Sequence, residues 1–216
     1  MINVSIARGL GLNGPRHLRL EAIWKRYAAL HADKMQLHVY ESPDGVHASN
    51  FNAMWAREQA RPERYAILTE FDFLPGAGFL TPPLAAVEAA NYVTRSPDTL
   101  QLTQWNKPGG WFIAVDKERI NGRLDFTAGG QHNDAANQLA DYVWQHYNLC
   151  VKLLPTRDCY PRHYGCEVGT RGEHLFWARH YNDEPFLKPA GFPLADILQK
   201  VDQATTAYER QFNVKQ

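Results

Sequence analysis

Apolar and polar positions change rhythm along the chain. The run INVSIA (residues 2–7) is short and β-rich, and HLRLEAIWKRYAALHA behind it places Leu20, Ile23, Trp24, Tyr27 and Leu30 on one helical face. KMQLHVYES reads as a second strand closed by the turn SPDG, SNFNAMWAREQA as a helix with Ser49 or Asn50 as its N-cap, and RYAILTEF as a third strand. Strands alternating with single helices predict an α/β fold: a mostly parallel central sheet flanked by helices, with right-handed crossovers. Ligands of such sheets gather at the carboxyl ends of the strands, which would put Glu41 to Asp44 and Glu70 to Asp72 on one rim.

Beyond residue 75 the punctuation is heavier. PGAGFLTPPLAAVEAANYV predicts a Pro/Gly turn and then a helix, and GGWFIAVDKERI a strand entered through Gly109 and Gly110. HNDAANQLADYVWQHYNLC predicts a helix carrying Leu139, Tyr142, Val143, His146 and Cys150, followed by the short strand VKLLP. PLADILQKVDQATTAYERQF predicts a terminal amphipathic helix with Leu194, Ile197, Leu198 and Val201 inward. No repeat, low-complexity block or linker breaks the sequence, so residues 1–216 are expected to form a single domain.

Composition narrows the function classes. With 216 residues, 44% of them hydrophobic and 12% aromatic, the chain can bury a sizeable core. Lys plus Arg (23) equals Asp plus Glu (23), so overall charge gives no sign of a nucleic-acid or anionic-membrane partner. The start, MINVSIARGLGLNG, lacks a basic segment followed by a long apolar run, and no stretch approaches a membrane span, so a soluble, cytoplasmic protein is expected. The three cysteines, Cys150, Cys159 and Cys166, suit reduced thiols. Cys159, His163 and Cys166, with Cys150, are within reach of one zinc ion, but paired Cys knuckles are lacking and thiols are the expectation.

The candidate chemistry lies in YAILTEFDFLPG (65–76), where Glu70 and Asp72 close an apolar strand. Carboxylates there must be solvated, paired or metal-bound, because burying them bare is costly. Two residues apart on an extended backbone, they would point to the same side. Mg2+ and Mn2+ favour such oxygen donors and complete their shells with phosphate and water. Solvated carboxylates capping the turn are the alternative.

The order HASNFNAMWAREQARPERYAILTEFDFLPG resembles the run in GT-A glycosyltransferases in which a helix leads into a strand ending in the D-x-D motif, with Glu70 at the first acidic position. GGWFIAVDKERINGRLDF is similar to the family's strand shaping the donor-sugar pocket. GGQHNDAANQLADYVWQHYNLCVKLLP is similar to the segment in which an acidic residue opens a helix. The parallel spans roughly residues 2–180 and implies a GT-A-like domain transferring a sugar from a nucleotide sugar, most simply a UDP-sugar, to an acceptor hydroxyl with inversion. It implies Asp72 as ligand of Mn2+ or Mg2+, His174 (or His180) completing the metal site, and Asp134 as catalytic base. Arg8, Glu41, Asp44, Glu70, Gly110 and Trp111 would then lie around the nucleotide sugar. Two departures stand out: His132-Asn133 precede Asp134 where the family often has a further acid, and Glu41, with Asp44 nearby, replaces the aspartate that reads the base.

Residue types alone favour Asp134 as the cap of its helix, and only the resemblance turns it into the base. Gly109 and Gly110 suit either a turn or close approach of a sugar. A nucleotidyltransferase would share the carboxylate-metal logic but carry a Gly-rich basic loop after strand one, which ARGLGLNGPRHLR only loosely approximates. A catalytically silent binding module would need neither Asp134 nor a metal. The acceptor is open to a glycan, a small molecule, a protein or a modified DNA base.

Overall fold

The structure is a computed structural model and describes residues 1–8, 14–41, 47–95, 102–126, 136–158, 165–175 and 194–213. The amino-terminal part alternates as its periodicity predicts. It runs β1 (Ile2–Arg8), α1 (Pro15–Leu30), β2 (Met35–Glu41), α2 (His47–Gln59) and β3 (Tyr65–Glu70). Pro15 opens α1, where its missing N–H costs nothing and its fixed φ suits the helix. Leu20, Ile23, Trp24 and Tyr27 are buried as expected, but Leu30 is exposed, because it stands in the last turn where α1 runs out past the sheet. Helix α2 begins at His47, so Ser49 and Asn50 lie inside its first turn and do not cap it.

Next come β4 (Phe73–Pro75), β5 (Val87–Arg95), β6 (Leu102–Asp116), α3 (Leu139–Tyr147), β7 (Val151–Leu154), β8 (Arg157–Asp158), β9 (Gly165–Val168), β10 (Gly172–Leu175) and α4 (Leu194–Asn213). The helix expected over AAVEAANYV is instead β5. Small alanine side chains let this strand lie between β6 and β7 with Ala86 to Val93 buried, and that tertiary fit overrides alanine's helical preference. Helix α3 buries Leu139 and Val143 as predicted. It ends at a left-handed Asn148, which leaves Cys150 beyond it and exposed.

Among the described residues, six strands form a central sheet in the order β2-β1-β3-β6-β5-β7. The pairings β1–β2, β1–β3 and β5–β7 are parallel, whereas β6 is antiparallel to both neighbours, so the mostly parallel α/β sheet expected from the sequence is present. A smaller antiparallel sheet, β4-β10-β9-β8, continues from the end of β3.

Alternate residues of the central strands feed two cores. Ile67 faces α1, α4 and the small sheet, joining Trp24, Phe73, Phe112 and Val201. Ala66 and Leu68 face α2 and α3, joining Phe51, Trp55, Val115 and Val143. Helix α4 is held along α1 by two paired contacts: the Arg16 guanidinium donates to both oxygens of Asp202, and that of Arg19 to both oxygens of Glu209.

Candidate functional site

Strand β3 carries Glu70 to the rim, and the chain then turns through Phe71 and Asp72 into β4. Asp72 therefore sits in a turn and not on the extended backbone expected. The turn is fixed from two sides. Trp24 of α1 donates its indole N–H to the Phe71 carbonyl at 3.2 Å, and the Leu175 amide donates to the Asp72 carbonyl at 2.6 Å. The second bond accompanies the β4–β10 pairing, in which His174 stands opposite Phe73.

That pairing brings His174 to both carboxylates. Its Nε2 lies 3.3 Å from Asp72 Oδ2 and 3.8 Å from Glu70 Oε2. One ligand atom from each of the three residues falls within 4.8 Å of the others, and all three residues are buried. Burial alone lowers the His174 imidazolium, but the carboxylates of Asp72 and Glu70 outweigh that cost and its pKa is raised to about 9. Asp72 Oδ1 is buried with no hydrogen-bond partner among the described residues. An acceptor oxygen in that position is expensive to leave unpaired, and a cation would satisfy it. Two carboxylates and one imidazole suit Mn2+ or Mg2+ as a donor set.

Trp111 covers the imidazole, with ring planes within 3° and centroids 4.7 Å apart. An irregularity in β6 puts it there. Ala89 pairs with Ile113, yet the next residue, Ala90, pairs with Gly109, so residues 110–112 bulge from the β5 ladder. Thr69 fixes the bulge from β3 by donating its hydroxyl to the Trp111 carbonyl at 2.5 Å. Gly109 makes room for the ring, since a Cβ there would stand 2.7 Å from the indole.

At the same rim Arg8 lies 3.7 Å from Glu41 and 3.5 Å from Glu21, and the register sets Ala7 beside Glu70. The structure thus brings together Glu70, Asp72, His174 and Trp111, with Gly110 in the bulge and Arg8 and Glu41 on the adjoining strand ends. Asp44, Asp134 and His180 lie outside the described residues, as do Cys159 and His163, while Cys166 is buried on β9.

Residue types alone did not single out Arg171, in the turn before β10. Its guanidinium is buried, donates to the carbonyls of Gly78, Phe79 and Thr81, and pairs with Glu88 of β5 at 2.8 Å. Lys152 of β7 approaches the same carboxylate at 3.0 Å. The signal was Glu88 itself, a lone charge in an alanine run, which must find buried partners. A groove of about 1460 Å³ lined by Tyr27, Pro75, Glu173 and Tyr208 lies elsewhere, since the pleat turns Glu173 away from its neighbour His174.

No family model matches the chain, and no curated protein matches it. Among solved structures it is similar to a glycosyltransferase involved in the glycosylation of the major capsid of PBCV-1, with a TM-score of 0.46 and 10% identity, covering 70% of this chain and 80% of the other. It is also similar to a mutant of the Drosophila β-1,4-galactosyltransferase 7 in complex with manganese, UDP-Gal and xylobiose, with a TM-score of 0.46 and 14% identity, covering 86% of this chain and 76% of the other. No helix among the described residues is long and apolar enough to cross a membrane.

Proposed function

We propose that this protein is a metal-dependent glycosyltransferase that moves a sugar from a nucleotide-sugar donor, a UDP-sugar first, to an acceptor hydroxyl. The observation that carries the reading is the buried convergence of Glu70, Asp72 and His174 beside the carboxyl ends of parallel strands, with Asp72 Oδ1 unpaired. The sequence resemblance to GT-A enzymes supports it.

Asp72 and His174 would hold Mn2+ or Mg2+, with Glu70 at its edge. When bound, the ion neutralises charge growing on the leaving diphosphate as a Lewis acid. Trp111 walls one side of His174, fixing the ring plane and excluding water from that face. Arg8, Glu41 and Asp44 would border the nucleotide, and Gly110 and Trp111 the sugar. The acceptor hydroxyl must lose its proton as it attacks the anomeric carbon. On the family resemblance Asp134 takes that proton from the side opposite the diphosphate, which makes the transfer inverting.

The test is hydrolysis or transfer from a panel of nucleotide sugars with and without Mn2+, beside thermal shift with the matching nucleoside diphosphates. Mn2+-dependent release of a nucleoside diphosphate is expected, together with stabilisation by mass action. Attack at phosphorus, with pyrophosphate as product, would point to a nucleotidyltransferase, and metal-independent binding without turnover to a silent module.

A further inference from the structure

Strand β10 is only four residues long, yet it carries His174 to the acidic pair, so whatever fixes its position along β4 also fixes the imidazole. The strand starts on a residue with no side chain to hold it. Gly172 has a φ of 151°, and a Cβ there would run into the Leu74 carbonyl oxygen.

The side chain just before it supplies the hold. The buried Arg171 guanidinium reaches two places at once: one nitrogen donates to the carbonyls of Gly78, Phe79 and Thr81, the other to Glu88 Oε2 of β5 at 2.8 Å. The main chain repeats the first join, the Gly76 amide donating to the Arg171 carbonyl at 2.8 Å and the Gly78 amide to the Thr170 carbonyl at 2.7 Å. Glu88 is itself fixed, since its other oxygen accepts from the Leu84 amide and from Lys152, both at 3.0 Å. The guanidinium also stands 5.4 Å from the centre of the Phe112 ring, and the neighbouring Trp111 is the residue stacked on His174. Arg171 thus ties the lead-in of β10 to the central sheet beside the bulge that aims Trp111. A buried ion pair adds little net stability, because both charges lose their water, but it accepts few geometries and so can select one packing.

We propose that Arg171, anchored on Glu88, is a positioning residue that sets β10 against the central sheet so that His174 meets Asp72 and Glu70. The proposal rests on reading that cluster as the metal site, and Arg171 acts on it only through His174.

Two measurements on the full chain test it at one pH. The first is the ring C–H resonances of His174, assigned by their loss in His174→Gln and displaced upfield in the wild type by the indole face. The second is Mn2+ affinity by titration. Arg171→Lys keeps the charge but lacks the planar fork that spans the carbonyls and Glu88 together, and Glu88→Gln keeps the shape without the charge. Both are expected to move the His174 resonances toward unstacked values and to weaken Mn2+ binding about tenfold, as loss of a group supporting a metal ligand does. Val143→Ala opens a cavity in the other core, under α3, and is expected to lower stability while changing neither readout. Unmoved resonances or unchanged Mn2+ affinity in both variants, or the same changes in Val143→Ala, would overturn the proposal. Should Arg171→Lys fail to fold, Glu88→Gln decides alone. A wild-type chain that does not bind Mn2+ sinks the metal-site reading, and the resonances then still score whether Arg171 positions His174.

Discussion

The indole of Trp111 and the imidazole of His174 lie parallel at 4.7 Å, and the space that allows it belongs to Gly109. Gly109→Ala would set a methyl 2.7 Å from the Trp111 ring, which must then leave the imidazole. Overpacking of this kind costs about 1–3 kcal/mol. The expected outcome is a lowered Tm together with a weakened response to Mn2+ plus UDP. A variant with wild-type values in both would show that the stack is incidental.

Asp72 is the ligand with an unpaired buried oxygen. Asp72→Ala is expected to leave the circular dichroism spectrum unchanged and to abolish Mn2+-dependent stabilisation by UDP. Retained stabilisation at the wild-type midpoint would remove Asp72 from the metal site.

Asp134→Asn tests the base, since α3 starts at Leu139 with Gln138 at its N-cap position, so the capping role that the sequence left open does not fall to Asp134. Asn keeps the size and shape of Asp, so stability and donor binding are expected to stay within about half a kcal/mol. Loss of a general base is expected to cut transfer by about 10²–10⁴-fold. Wild-type turnover would remove Asp134 from the catalytic step.

The buried Glu88 carboxylate gives a pH signature. Burial pushes it up, but Lys152 and Arg171, with the Leu84 amide, outweigh that and hold its pKa below the ordinary carboxylate value. A depressed native pKa contributes stability that is present above the unfolded value and is lost as pH falls through the native one. Glu88→Gln is therefore expected to destabilise the protein by about 3 kcal/mol at neutral pH, with the gap to wild type closing as pH drops below about 4.5. Chemical denaturation of both proteins across pH 3 to 7 measures it, and a gap constant with pH would count against the pairing.

The alternation up to Glu70 was legible because hydrophobic spacing passes cleanly between strand and helix periods there, and each strand ends at a turn. The β5 strand was not, because AAVEAA favours a helix by local preference and becomes a strand through what packs on its two faces. At the site, Glu70 and Asp72 were visible by type and position, but their convergence comes from a turn held by Trp24 and Leu175, neither of which lies nearby in sequence. His174 reaches them through sheet pairing, which no local periodicity encodes, and only the family resemblance singled it out. The bulge that aims Trp111 left a faint trace in the doublet Gly109-Gly110.

The clamp between α1 and α4 carries a kinetic consequence. Arg16 and Arg19 meet partners 186 and 190 residues later, so this contact can close only after that length of chain has been made. Contacts of such long separation demand loop closure before they return any stabilisation, which places them on the native side of the folding barrier. Cutting the clamp should then hasten unfolding more than it slows folding, by the modest amount that two half-exposed ion pairs can contribute.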